Sequence, residues 1–319
     1  MKKILVAEKT FAETRDVFLA AAGDRAELIF AETQDVTPDQ LCGADALIGN
    51  IRPELLEQAP QLQWVQLMSS GADVYAARPA LKNRFTLTTA TGAYGVGIAE
   101  YMVCMLLTMM NKIPTYLDQQ KAGVWRDAGE VVSPMGKRVL IVGMGNLGTE
   151  FALRMRPFGC TLVGIRRRPG ACPAAFDELH TMAELPEELG KADVVALCLP
   201  GTPETYHLFD REMLAHCRPG AFLMNVGRGT VIPREALLDE ATMARFGGVW
   251  VDVLETEPLP DNDALFGVEH LYITPHITGG WHLEETRKRI FAICAENLRR
   301  WLDGEALTRV MDWETGYCK

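Results

Sequence analysis

Gly143, Gly145 and Gly148 stand at the spacing a dinucleotide pyrophosphate requires, directly after the unbroken aliphatic run Val139, Leu140, Ile141 and Val142. The chemistry of such a site is anion capture by backbone. Gly143 permits a tight turn, Gly145 lets the chain approach the phosphates, and Gly148 lets the next helix pack closely on the strand. The amides of Asn146 and Leu147 open that helix, where unpaired N–H groups and the helix dipole favour negative charge. The glycine pattern alone is weakly specific. Here it follows a strand and precedes a helical segment at 149–158, which is the context it needs.

The nucleotide is chosen further on. A dinucleotide fold usually carries Asp or Glu at the end of its second strand, about 20 residues past the glycines, to bind a free ribose 2′-OH. This chain has Arg166, Arg167 and Arg168 after residues 162–165, and its next acid is Asp177. Guanidinium groups suit a 2′-phosphate, which an acid would repel. NADP(H) is therefore expected in preference to NAD(H).

Three later blocks place polar residues just past apolar strands, where ligands of open α/β sheets bind. Residues 224–229 deliver Arg228 between two glycines. Residues 250–253 and then 257–258 supply two carboxylates, Asp252 and Glu257, and residues 273–276 end on Pro275 and His276, the proline restricting the residue before it.

The blocks VGRG, DVLETEP and TPHITGG, in this order after GMGNLG, resemble the D-isomer-specific 2-hydroxyacid dehydrogenase family, as do LPGTPET at 199–205 and SSGAD at 69–73. The resemblance covers nearly the whole chain. It implies an α/β fold of two Rossmann-like parallel-sheet domains: a discontinuous, flavodoxin-like substrate domain (1–97 and 283–319) and an inserted dinucleotide-binding domain (98–282). It also implies a cleft between them and a homodimer formed through the nucleotide domain, with residues 98–110 as the leading contact. Arg228 would hold the substrate carboxylate and polarise the 2-oxo group. His276 would exchange the proton with the carbonyl oxygen, and Glu257 would fix its tautomer. Leu199, Pro200, Thr205, Val226, Gly227, Asp252 and Gly279 would join the glycine loop and the arginines in binding cofactor. The amides of Ser70 and Gly71, with Asn50 as a further contact, would meet the substrate.

The implied activity is hydride transfer between a nicotinamide and a small 2-oxo or 2-hydroxy acid. A dinucleotide-sensing, corepressor-like regulator of the same fold is the alternative. Glu257 argues against formate oxidation, where glutamine typically replaces the acid, and Ser70 argues more weakly against phosphite oxidation. No basic residue in the 69–73 loop could meet a substrate phosphate, and Trp281 is bulky. Glyoxylate, hydroxypyruvate or a larger 2-oxo acid is expected over 3-phosphoglycerate. The remaining histidines, His180, His207, His216, His270 and His282, read as structural, although His282 closely follows the catalytic block.

These residues need two sheets to position them. Strand-like runs at 4–7, 28–30, 46–49, 64–67 and 85–88 precede the glycine loop, and runs at 162–165, 194–199, 221–226, 248–253 and 272–274 follow it. Residues 283–303 read as a helix that returns to the first domain. Residues 98–110 read as a helix apolar almost all round, which must be covered by protein.

Composition sets the remaining bounds. A chain of 319 residues favours two domains, and a net charge of −10 disfavours nucleic acid as a partner. The eight cysteines form no C-x-x-C pair and show no metal-like spacing, so no metal is expected and they read as free thiols. No apolar run reaches the roughly 20 residues that span a bilayer, and the N-terminus is too short in apolar residues for a secretion signal. No membrane association and a cytoplasmic location are expected.

Overall fold

The computed structural model describes residues 1–8 and 12–318, and the chain divides into two compact units, one of residues 1–94 and 281–319 and the other of residues 95–280. The first unit holds a parallel sheet of β1 (Lys2–Ala7), β2 (Ala26–Ala31), β3 (Ala46–Gly49), β4 (Trp64–Gln66) and β5 (Thr86–Thr88), ordered β2-β1-β3-β4-β5. This is the flavodoxin-like order, whose direction of winding reverses between β1 and β3. β3 and the last four residues of β1 are apolar and buried, as strands with both faces covered require, while Lys2 and Lys3 at the start of β1 are exposed.

The helix Glu284–Asp303 belongs to this unit, as its sequence suggests. Ile290, Phe291, Cys294 and Leu298 pack with Phe18, Ala21 and Ala22 in one core cluster. A buried polar chain pins the helix to the sheet: Asn297 Nδ2 donates to Gln66 Oε1 (2.8 Å), which also accepts from Thr88 Oγ1 (2.7 Å), and Trp64 Nε1 donates to Thr88 (2.9 Å). Each partner satisfies another, which removes the penalty of a buried unpaired amide.

The second unit carries seven parallel strands: β6 (Arg138–Val142), β7 (Thr161–Arg166), β8 (Glu178–Thr181), β9 (Val194–Leu197), β10 (Phe222–Asn225), β11 (Gly248–Val251) and β12 (Leu271–Ile273). Their order, β12-β11-β10-β9-β6-β7-β8, is that of a dinucleotide fold with its switch point between β6 and β9. The edge strand β8, sequence ELHT, has no apolar run to announce it, and all four residues are only partly buried. Charge fixes it in place. Arg138 on β6 donates to both Glu178 oxygens (2.8 and 2.6 Å) and also binds Glu188, which pairs with Lys191 at 2.8 Å.

The helix Gly95–Met110 buries Ala99, Met102, Leu106, Met109 and Met110 on one side, while Val103 and Leu107 stay partly exposed and Cys104 is exposed. Among the described residues only one face of that apolar helix is covered. Ile113, Leu117, Val124, Trp125, Val131 and Met135 follow it as exposed apolar side chains. Among the described residues no single helix is long and apolar enough to cross a membrane.

Candidate active site

The glycine loop sits at the switch point of the second unit, and its geometry explains each glycine. Gly143 has φ +104°, and a Cβ there would lie 2.6 Å from the Cys198 carbonyl oxygen. At Gly148 a Cβ would come within 2.1 Å of Gly143 O, so the helix Asn146–Met155 could not seat on β6. Around Gly145 nothing lies within 4 Å of the Cβ position, and Gly145 and Asn146 are exposed. An open backbone at the start of a ten-residue helix suits a pyrophosphate, so these residues fit a dinucleotide.

Arg166 is the last residue of β7, with its guanidinium over Gly170, and Arg167 and Arg168 are exposed beyond it. Glu204 is held below the usual carboxylate range, first by the Thr202 hydroxyl and more weakly by the positive charge of Arg167. The arginine loop therefore lies near the 199–205 segment. In that segment Thr205 Oγ1 donates to Pro200 O (2.6 Å) and accepts from Thr202 N (2.9 Å). Leu199 lies against Gly227, where a Cβ would sit 2.4 Å from Leu199 O, so residues 199–200 and 226–227 flank each other at the carboxyl ends of β9 and β10.

Three adjacent parallel strands, β10, β11 and β12, bring the polar blocks to one edge of the sheet. Arg228 follows β10, half-buried, with Nη1 donating to Gly227 O at 2.9 Å. Its neighbour Gly229 must be glycine, because a Cβ would lie 1.9 Å from the Leu254 carbonyl carbon. After β11, Glu257 uses both oxygens: Oε1 accepts from Leu254 N (2.8 Å), and Oε2 lies 2.7 Å from His276 Nδ1. A carboxylate can only accept, so Nδ1 carries the proton in this contact and Nε2 is the ring nitrogen facing away from Glu257. That Nε2 has no hydrogen-bond partner among the described residues, and the imidazole is half-exposed.

His276 has φ +50°, uncommon for a residue with a side chain, and Asp252 supplies the constraint. The His276 amide donates to Asp252 O (2.9 Å), while the Asp252 carboxylate accepts from Thr274 Oγ1 (2.5 Å), Ile277 N and Thr278 N (3.2 Å each) and the Thr278 hydroxyl. Asp252 thus clamps the loop that presents the imidazole, a role the sequence does not reveal. Gly279 follows in the same loop, buried and at φ +62°.

In the first unit, Asn50 follows β3 and turns inward. Its Oδ1 accepts from Met68 N (2.8 Å) and Ser69 N (3.2 Å), and its Nδ2 donates to Ser69 Oγ (2.7 Å). Both ends of the amide shape the 69–73 loop. Among the described residues the Ser70 and Gly71 amides have no acceptor, which leaves them open to an anion. Trp281 packs on Phe291 with ring centroids 6.0 Å apart, and His282 is exposed.

Residues 103–278 match the family model of the D-isomer specific 2-hydroxyacid dehydrogenase NAD binding domain. The chain belongs to the D-isomer specific 2-hydroxyacid dehydrogenase family. It is 32% identical to (S)-sulfolactate dehydrogenase of Chromohalobacter salexigens over 77% of this chain and 80% of that one. Identity to glyoxylate/hydroxypyruvate reductase B of Pectobacterium carotovorum is 29%, over 83% and 84% of the two chains. A D-isomer specific 2-hydroxyacid dehydrogenase from Xanthobacter autotrophicus, solved with NADPH and MES, superposes with a TM-score of 0.82 at 25% identity, covering 99% of this chain and all of that one. As a member of the family, the chain is an NAD(P)-dependent oxidoreductase acting at the CH–OH carbon of 2-hydroxy acids.

Proposed function

We propose that this chain works as an NADPH-linked reductase of small, unphosphorylated 2-oxo acids, with glyoxylate, hydroxypyruvate or a larger 2-oxo acid as substrate. The observation that carries the reaction is the His276–Glu257 pair at 2.7 Å, beside the strand end that bears Arg228. The three arginines at the end of β7 and just beyond it, where an acid would favour NAD(H), carry the cofactor preference.

In this reading the nicotinamide, when bound, supplies the hydride. Arg228 aligns the substrate carboxylate and draws charge from the 2-oxo oxygen through its fork of donors. His276 gives its Nε2 proton to that oxygen as the alcohol forms, and Glu257 stabilises the protonated ring and holds its orientation. The Ser70 and Gly71 amides offer donors to a carboxylate, and Asn50 keeps their loop in shape. The absence of Lys, Arg or His from residues 69–73 supports an uncharged side chain on the substrate. Loss of absorbance at 340 nm with NADPH and then NADH against such 2-oxo acids tests the proposal. Faster oxidation of NADPH is expected, and a clear preference for NADH would discard the arginines as selectors.

The assembly we infer is a homodimer through the nucleotide domain. The open face of the helix Gly95–Met110 and the exposed side chains Ile113, Leu117, Val124 and Trp125 support it, since a soluble monomer gains nothing by exposing them together. Eight free thiols, with Cys217 and Cys294 buried, suit a reducing cytoplasmic setting.

A further inference from the structure

We propose that Glu255 and His207 are a positioning pair that sets the spacing between the Arg228 loop and the Glu257 loop; the inference rests on the roles given to those two residues above. A second histidine–carboxylate pair lies beside the catalytic one. His207 Nε2 and Glu255 Oε1 are 2.7 Å apart across 48 residues of sequence. Both side chains are mostly buried, with 30% and 25% exposure.

Its connections give the pair leverage. The other Glu255 oxygen accepts from the Arg234 amide (3.4 Å), and the His207 amide donates to Thr230 O at 2.8 Å. Residues 228–234 are therefore bonded to both members of the pair. Leu254 and Glu255 in turn press on Gly229 so closely that no side chain fits there. Glu255 stands two residues before Glu257, and Leu254 donates the hydrogen bond that holds Glu257 Oε1. Rotating the 254–257 turn would move the Glu257 carboxylate off His276 and shift the backbone that carries Arg228.

The electrostatics agree. Burial acts to raise the Glu255 carboxyl, yet His207, the Arg234 amide and, more weakly, the Tyr206 hydroxyl together outweigh it and hold the carboxyl below its ordinary range. A displacement of about 1 Å in a catalytic group can cost on the order of 100-fold in rate. The contact thus has consequences beyond stability.

Two substitutions separate positioning from simple stapling. His207→Phe keeps a ring against Tyr206, with which His207 stacks at 3.9 Å and 15°, but removes the imidazole donor and leaves Glu255 Oε1 only the longer Tyr206 hydroxyl contact (3.4 Å). His207→Gln removes the ring and places an amide donor at similar reach. The Phe variant should lose roughly 10- to 100-fold in kcat, with NADPH affinity changed less than about twofold and faster deuterium exchange at Leu254. The Gln variant should return to within about threefold of wild type in kcat and regain the protection. Unchanged kcat and unchanged Leu254 exchange in the Phe variant, or equal damage in both, would overturn the pairing. Absence of 2-oxo-acid turnover in the wild type would count against the function proposed above, while the exchange rate at Leu254 would still decide the positioning.

Discussion

Glu257 bridges two elements with one carboxylate: Oε2 lies 2.7 Å from His276 Nδ1 after β12, and Oε1 accepts from Leu254 N after β11. The imidazole orientation thus depends on the neighbouring strand's turn as well as on its own loop. Asp252 holds that loop from the other side with bonds to Thr274, Ile277 and Thr278. Two acids, one orienting the ring and one clamping its backbone, fix the imidazole in place.

Arg228→Lys should fail badly. An ammonium keeps the charge but cannot reproduce a planar fork that both grips a carboxylate and polarises the adjacent carbonyl. A fall in kcat/KM of roughly 100-fold or more is expected from steady-state kinetics, with NADPH binding by fluorescence titration nearly unchanged.

Replacing Arg166 and Arg167 together by Ser should raise the NADPH Michaelis constant by about tenfold or more and leave that for NADH nearly constant, because only the 2′-phosphate loses charge-assisted bonds. An unaltered NADPH constant would mean that the arginines do not select the nucleotide. Protein stability should not change, since Arg167 is exposed and Arg166 half-buried at a strand end.

Gly229→Ala forces a methyl into the Leu254 carbonyl group, 1.9 Å from its carbon. Backbone must shift to admit it, so a stability loss of about 1–3 kcal/mol is expected in thermal or denaturant unfolding. Activity should fall further than stability alone explains, because the loops that carry Arg228 and Glu257 meet at this contact.

Acid should weaken the edge of the second sheet. Arg138 beside Glu178 holds that carboxyl down at about 2, against an ordinary 4.5. Between those values the unfolded chain binds more protons than the folded one, so this contribution is fully present above about pH 4.5 and fades as pH falls toward 2. The Glu178→Gln protein should lack it: its Tm should be lower than wild type at pH 7, and the difference should shrink below about pH 4. Glu178 is partly exposed, so the effect should be modest.

Much of this arrangement is legible in the sequence because parallel strands buried on both faces read as short apolar runs. All five expected runs of the first sheet are strands, and so are the glycine-loop strand and the five runs after it. β8 escapes notice because an edge strand needs no apolar run and is held here by Arg138. The site divides in the same way. Arg228, Glu257 and His276 stand out by residue type at strand ends, whereas Asp252 as a loop clamp and Asn50 as a loop organiser depend on partners 22 and 19 residues away. His207 reads as an ordinary structural histidine, since its carboxylate partner is 48 positions downstream. Such contacts are made by the fold, and no local spacing encodes them.

If the His276 imidazole, held by Glu257, passes the proton, His276→Ala should lose turnover with NADPH and a 2-oxo acid while keeping its NADPH affinity. A loss in kcat on the order of 100- to 10,000-fold with cofactor affinity nearly intact is expected when a general acid is removed. Near-normal turnover with the imidazole gone would contradict it.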